Sequence, residues 1–361
     1  MEEKETLGKK ILSFIITTMN GMAYGLFATL IIGTILKTIG GFFGESYFKE
    51  IVISVAVFLQ NMTGLGIGVG IALALKLDGL KMVALSAVGA LAAYLNLNIY
   101  QPDMIQFASL GLRIGDPLTI YLVVIGSYLL MKLILVKKTP VDIVLIPFTI
   151  IIIGTILTLI LAFPIGQVTR FIGYIVEVAT DAQPFFMGII IAVVMGMALT
   201  APISSAAIAA MILTTSNTEG ALAIAGGAAV VGCSVQMVGF AIQSIYDNKV
   251  GTVISIGIGT SMLQFKNILK NPKIWLPTII TSAILGPFAT CLFKVRCVGS
   301  SAGMGTSGLV GQIGTIATMG NTLPAWLGII ILQVVAPAAL VFGFDFLFRK
   351  IGWIKKGDLT V

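Results

Sequence analysis

The stretch Thr200-Ala201-Pro202-Ile203-Ser204-Ser205 interrupts one of the longest apolar runs of the chain, and Asn217-Thr218-Glu219-Gly220-Ala221 precedes the next such run. A polar cluster that breaks a membrane helix leaves backbone N–H and C=O groups unpaired. Hydrocarbon tolerates this only where those groups line a cavity or a ligand. The two clusters therefore point to a membrane transporter with a buried polar site.

Composition agrees with this reading. The 361 residues are 57% hydrophobic and 10% charged, with a mean hydropathy of +1.06, whereas soluble domains carry about 25% charge. At roughly 20 apolar residues per crossing, the expected fold is an all-α polytopic membrane protein of about ten spans. These are predicted at 11–36, 51–75, 80–95, 117–136, 141–163, 184–213, 220–246, 250–265, 274–294 and 325–348. The chain then reads as one integral membrane domain over 1–361, with a transmembrane region at 11–348 and cytoplasmic tails at 1–10 and 349–361. The first apolar run is too long for the core of a signal peptide, so it reads as a retained helix.

Charge supports that orientation. The net charge is +7, and Lys76, Lys81, Lys137-Lys138, Lys266 to Lys273 and Arg349 to Lys356 fall on one side of a ten-span layout, as cytoplasmic loops require. Lys37, Lys49, Arg113, Arg170, Lys249, Lys294 and Arg296 fall on the other side, so the bias is not clean. Such clusters orient helices and imply no nucleic-acid partner. The absence of histidine removes the commonest proton shuttle, metal ligand and phosphoryl carrier. Cys233, Cys291 and Cys297 lack metal or redox spacing, so neither a metal nor a cofactor is expected.

Two spans, 80–95 and 250–265, are short for a bilayer, and short or interrupted segments mark transporter binding sites. Residues 96–116 read as an interfacial or re-entrant connection. Residues 299–322, opening Gly299-Ser300-Ser301-Ala302-Gly303-Met304-Gly305-Thr306-Ser307-Gly308, hold too many glycines and hydroxyls for a plain helix. They are predicted to form a re-entrant hairpin whose tip approaches Glu219 or Thr200. The halves echo each other as well. Asn61-Met62-Thr63 precedes Asp78-Gly79 and a small-residue segment, as Thr200-Ala201-Pro202 precedes Glu219-Gly220 and another, a pattern compatible with internal duplication.

Each element of the site also has a plainer reading. Glu219 fits a helix N-terminus, where the dipole favours an acid. The hydroxyls near Pro202 fit a kink that satisfies its own carbonyls. The glycines from Gly64 to Gly70 fit close helix packing. Glu177 and Asp181 fit a solvated interfacial face, and Asp345 with Arg349 an i,i+4 pair.

Three stretches resemble the membrane subunit, enzyme IIC, of the phosphoenolpyruvate-dependent phosphotransferase system. Gln183-Pro184-Phe185-Phe186-Met187-Gly188 through Ala201-Pro202-Ile203-Ser204-Ser205-Ala206-Ala207 resembles the fructose-type helix that ends in Gly-Pro-Ile-Asn-Lys-Ala-Ala. Thr218-Glu219-Gly220-Ala221 matches an Ile-Thr-Glu-Gly-Ala motif whose glutamate binds sugar. Lys138-Thr139-Pro140-Val141-Asp142-Ile143-Val144-Leu145-Ile146-Pro147, with the run at 299–308, is similar to stand-alone IIC-like proteins of the perfringolysin-regulator type. The chain departs from the fructose pattern at Ser204-Ser205, at Asn217 and in lacking a proline-phenylalanine after Gly220-Ala221.

The resemblance implies an enzyme IIC-like fold in a bacterial plasma membrane, a homodimer, a sugar or sugar-like solute, and phosphotransfer by separate partner proteins. This chain carries no phosphorylated residue of its own, so no catalytic residue is assigned. The predicted substrate-binding residues are Glu219, Thr218, Thr200, Pro202, Ser204, Ser205, Asn61, Thr63, Ser300, Ser301 and Thr306. A membrane-embedded sensor that regulates gene expression without moving its solute is the alternative.

Overall fold

A computed structural model of the chain describes residues 7–41, 43–100, 115–135, 139–180, 183–201, 203, 205–213, 215 and 217–361, with backbone alone at 7, 9, 12, 96–100, 169, 170, 172, 173, 177, 207 and 211. All regular structure among these residues is helical, the arrangement that lets a lipid-immersed chain pair its backbone within each segment. The chain divides into two compact units, Met1–Gly166 and Gln167–Val361.

In unit 1, α1 (Leu7–Leu26) continues through a π-helical turn into α2 (Ile32–Gly41), followed by α3 (Tyr47–Asn61), α4 (Thr63–Ala74), α5 (Gly79–Tyr100), α6 (Pro117–Ile134) and the start of α7 (Asp142–Thr180). Helix α4 packs against α1, α5 and α6. Its approach to α5 is backbone to backbone, because a Cβ on Gly64 or on Gly89 would overlap the other glycine's carbonyl oxygen. Only small residues permit this.

Unit 2 holds α8 (Pro184–Thr200), α9 (Ser205–Ile212), α10 (Ala221–Gln243), α11 (Val250–Ile254), α12 (Phe265–Lys270), α13 (Leu276–Pro287), α14 (Val310–Met319), α15 (Leu323–Leu327) and α16 (Ala336–Lys350). Helix α10 is its axis. In the apolar window of the span that contains α10, 78% of residues are buried, against 22% for that of α7. A small-residue helix apolar on every face belongs in such a core, and α8, α13 and α16 surround it.

Among the described residues, six helical segments are long and apolar enough to cross a membrane: Ser13–Gly41, Pro117–Ile134, Asp142–Val168, Ala221–Tyr246, Pro272–Leu292 and Leu323–Lys350. The α3–α4 pair, bent by 52° at Met62, makes a seventh if it counts as one span. The ten spans expected from sequence are not confirmed by this count. The shortfall lies at 80–95, at 184–213, which is split between α8 and α9, and at 250–265.

The last of these has a clear cause. After α11 the chain passes through a π-helical turn (Ser255–Gly259), an extended Thr260 and a 3₁₀ turn (Ser261–Gln264). Both sides of this segment then bind the same C-terminal residues. Asn248 Nδ2 donates to Leu359 O at 2.7 Å, Gly357 N to Asp247 Oδ1 at 2.8 Å, Gln264 Nε2 to Leu359 O at 2.8 Å and Asn271 Nδ2 to Trp353 O at 3.1 Å. Residues 250–265 therefore return to the end they left, and Lys249 lies at the same end as Lys266, Lys270 and Lys273. The segment expected to be a tail, 349–361, is folded against this end with Ile354 and Leu359 buried.

Candidate functional site

Three interruptions of regular helix meet on the central part of α10. The first follows α8, whose last residue, Thr200, is fully buried. The second is the turn at 255–261. The third is a strap that follows α13 and its π-helical extension. It runs without regular structure from Lys294, a residue with φ +46°, to the extended Val298, then through 3₁₀ turns at Gly299–Gly303 and Ser307–Leu309.

The strap lies along α10. Cβ atoms on Gly227 and Gly226 would overlap the carbonyl oxygens of Val295 and Cys297, and Cys297 N donates to Ala223 O at 3.0 Å. Further on, Gly305 has φ +54°, and a Cβ there would sit 2.6 Å from the carbonyl carbon of Cys233. Glycine is needed at 305 on both counts, the left-handed backbone and the close approach. The strap also ties the other two breaks together. Ser205 Oγ donates to Gly303 O at 2.7 Å, Gly299 N to Leu213 O at 2.9 Å, Ser307 Oγ to Gly259 O at 2.8 Å and Thr306 Oγ1 to Gly257 O.

At this level a closed polar node surrounds Gln236 of α10. Its Oε1 accepts from Trp275 Nε1 at 2.9 Å, Thr278 Oγ1 at 3.0 Å and Thr200 Oγ1 at 3.1 Å, and with that proton on Gln236 the Ser261 hydroxyl, 2.8 Å from Thr200 Oγ1, donates to Thr200. An indole N–H can only donate, so Trp275 fixes which end of the amide faces it. Gln236 Nε2 is then buried with no hydrogen-bond partner among the described residues. Every side chain of the node is uncharged.

A second, charged cluster lies at the start of α10. Arg296 Nη1 donates to Glu219 Oε1 at 3.2 Å and to Thr218 O at 3.3 Å. The Glu219 side chain is 83% exposed and that of Arg296 23%, so the pair contributes little to stability. Glu219, expected to be buried and costly, is instead at the surface of unit 2, because the turn at 217–220 faces outward and Arg296 meets its charge. From Ala221 to Gln236 the helix rises roughly 22 Å, so no small solute touches both clusters at once.

The remaining predicted residues are dispersed. Ser300 is exposed, and Ser301 Oγ is engaged locally with Val298 O at 2.7 Å. In unit 1, buried Thr63 donates to Gln60 O one turn back, and Gln60 Nε2 to Thr34 Oγ1 at 2.9 Å. Asn61 makes no side-chain hydrogen bond among the described residues. Pro202, Ser204 and Asp181 lie outside the described residues, as does the side chain of Glu177. Asp345 pairs with Arg349 at 2.7 Å (Oδ2 to Nε), as the i,i+4 spacing suggests.

Sequence reasoning missed Gln236, Ser261 and Arg296. For Gln236 the available signal was a lone amide in a small-residue membrane helix, which needs a partner or a purpose. Arg296 read as an ordinary loop charge.

Residues 16–361 match the family model described as phosphotransferase system, EIIC. The chain belongs to that family, and it is a multi-span helical membrane protein of the EIIC transporter type. No curated protein and no solved structure matches it.

Proposed function

We propose, starting from membership of the EIIC family, that this protein is a permease for an uncharged, polyhydroxylated solute, a sugar or sugar alcohol. The observation that carries this reading is the convergence of three helix breaks on α10 around groups that are polar but uncharged. Thr200, Ser205, Thr306 and the strap supply hydroxyls and backbone groups suited to such a solute, and the family supplies the expectation of a sugar. Pro202, Ser204, Ser300 and Ser301 belong to the same breaks. Glu219 and Thr218, steered by Arg296, stand roughly 22 Å away along α10, where they would meet the solute at a different stage of its passage.

Phosphorylation would fall to separate proteins, as the lack of histidine in this chain implies. The docked tail, Lys249 and the loop at 266–273 share one end of unit 2, which supports a single cytoplasmic face there under the positive-inside rule. Cytoplasmic termini and a homodimer complete the proposal. The exposed apolar face of α7, with Ile143, Val144, Phe148, Ile156 and Ile160 outward, suits lipid or a second copy.

The test is counterflow of labelled D-fructose, D-mannitol, D-galactose and galactitol in proteoliposomes, beside their effect on thermal unfolding. Exchange of at least one is expected. A solute that stabilises the protein without being exchanged would favour the stand-alone sensor reading, and no effect of any kind would remove the sugar.

A further inference from the structure

An amide whose oxygen faces three donors while its nitrogen has no partner among the described residues is unbalanced. Gln236 is fully buried, and a buried donor without a partner costs free energy that folding alone gives no reason to retain. The oxygen end is locked by Trp275, so rotating the amide offers no relief. The donors that meet the oxygen are less dependent on it than it is on them. The single proton of Thr278 Oγ1 has Trp275 O at 2.9 Å as an alternative acceptor, Thr200 has Ser261, and Trp275 is only partly buried. An apolar side chain of similar length would therefore fit this position with little loss, so the amide is not there to hold the fold.

Its surroundings favour a ligand role. Thr200 ends a broken helix and Ser261 follows another break, so both neighbours sit where the chain changes direction, and such points move when a transporter opens. We propose that Gln236 is a specificity-determining residue of the permease: when Thr200 and the turn at 255–261 draw back, its Nε2 donates to an oxygen of the uncharged solute while Trp275 and Thr278 hold the amide in register. The inference rests on the permease reading. It adds that recognition at this level is through a donor, with no charge on the protein, so a hydroxyl or carbonyl oxygen is selected and an ammonium-bearing solute is rejected.

Two variants test it in the full-length reconstituted protein. Gln236→Glu keeps an oxygen for the three donors and replaces the N–H₂. Gln236→Met removes both ends and introduces no charge. With whichever of D-fructose, D-mannitol, D-galactose or galactitol the wild type exchanges, both variants should lose counterflow at least tenfold. They should also lose the solute-dependent rise in Tm, while the solute-free Tm of Gln236→Met stays within a few degrees of wild type. Ser282→Ala, which removes a buried hydroxyl with no hydrogen-bond partner among the described residues, should leave counterflow intact. Wild-type exchange retained in either variant overturns the inference and leaves the permease reading standing. Failure of Gln236→Met to fold overturns it too, since the amide would then serve the fold. Absence of exchange by the wild type removes the permease reading and the inference with it.

Discussion

The breaks at Asn61-Met62-Thr63 and at Thr200 to Ser205 read alike in sequence, each a few polar residues inside an apolar run and each followed by an acidic-glycine pair and a small-residue helix. They are put to different use. At the first, Met62 keeps an ordinary backbone, φ −82°, the hydroxyl of Thr63 bonds its own chain one turn back, and the following glycines press α4 onto α5. At the second, Thr200 reaches across to Gln236 and Ser261, and Ser205 to the strap. The packing diverges as well. Unit 1 sets α5 against the helix after its break, while unit 2 sets α10 against α8, the helix before its break. The order of elements repeats and the contacts do not. At the first break the described bond to another element is a single one, from Gln60 to Thr34 of α2, whereas at the second the polar ends are tied to two further breaks.

If that distinction is right, the largest effect should come from the strap, which has no counterpart among the described residues of unit 1. Gly305→Val places a β-branched side chain at φ +54° against Cys233. Left-handed strain and overpacking together should cost about 3 kcal/mol or more. Gly343→Val, where an added Cβ meets nothing within 4 Å, should be nearly neutral. All three tryptophans, Trp275, Trp326 and Trp353, lie in unit 2, so intrinsic fluorescence during unfolding reports on that unit. Equal melting of the two variants would mean that the strap does not hold the three breaks together.

A smaller effect separates the two threonines. Thr200→Val removes a buried hydroxyl shared with Ser261 and Gln236 and should lower stability by about 1–2 kcal/mol. Thr63→Val removes a hydrogen bond within its own turn and should cost about 0.5 kcal/mol or less. Denaturant unfolding followed by tryptophan fluorescence for the first and circular dichroism for both would show it. A Thr63→Val loss as large as that of Thr200→Val would erase the contrast between the breaks.

How much of this was legible follows from the range of the interactions. The break at Thr200 and the irregularity of 299–308 are visible in the sequence, because a proline or a density of glycines acts on its own neighbourhood. The node around Gln236 is not visible, since it draws on residues at 200, 236, 261, 275 and 278 that share no spacing rule and meet only in the folded unit. Hydropathy also misjudged 250–265. Its apolar content suffices for a span, but Gly257, Gly259, Thr260 and Ser261 let the backbone turn back, and only the hydrogen bonds from both flanks to residues 353–361 reveal it. Glu219 was found by its motif, and its exposure was not, because burial depends on which way the 217–220 turn faces.

The smallest effect belongs to the acidic-glycine pairs, where the comparison is sharpest. Asp78 caps α5: its carboxylate accepts from Lys81 N at 3.0 Å and from Lys81 Nζ at 2.6 Å. Glu219 caps nothing, since the residue before α10 is Gly220 with no side-chain cap, and it turns to Arg296. Asp78→Ala should therefore cost about 1 kcal/mol of stability. Glu219→Gln should leave stability within about 0.5 kcal/mol while weakening solute binding roughly tenfold, the worth of one charge-assisted hydrogen bond. The two acids should also differ with pH. The hydrogen bond from the Lys81 side chain holds the Asp78 carboxyl below the usual carboxylate range. Because its folded pKa is depressed, its contribution is complete above the unfolded value, near 3.9, and is lost as pH falls through the lower folded value. Unfolding of the wild type and Asp78→Asn, followed by circular dichroism, should converge as pH drops below about 4. Parallel curves down to pH 2 would show that Lys81 does not hold the cap through its charge. A Glu219→Gln protein that melts early would place that residue in the fold, leaving both acids with one structural job.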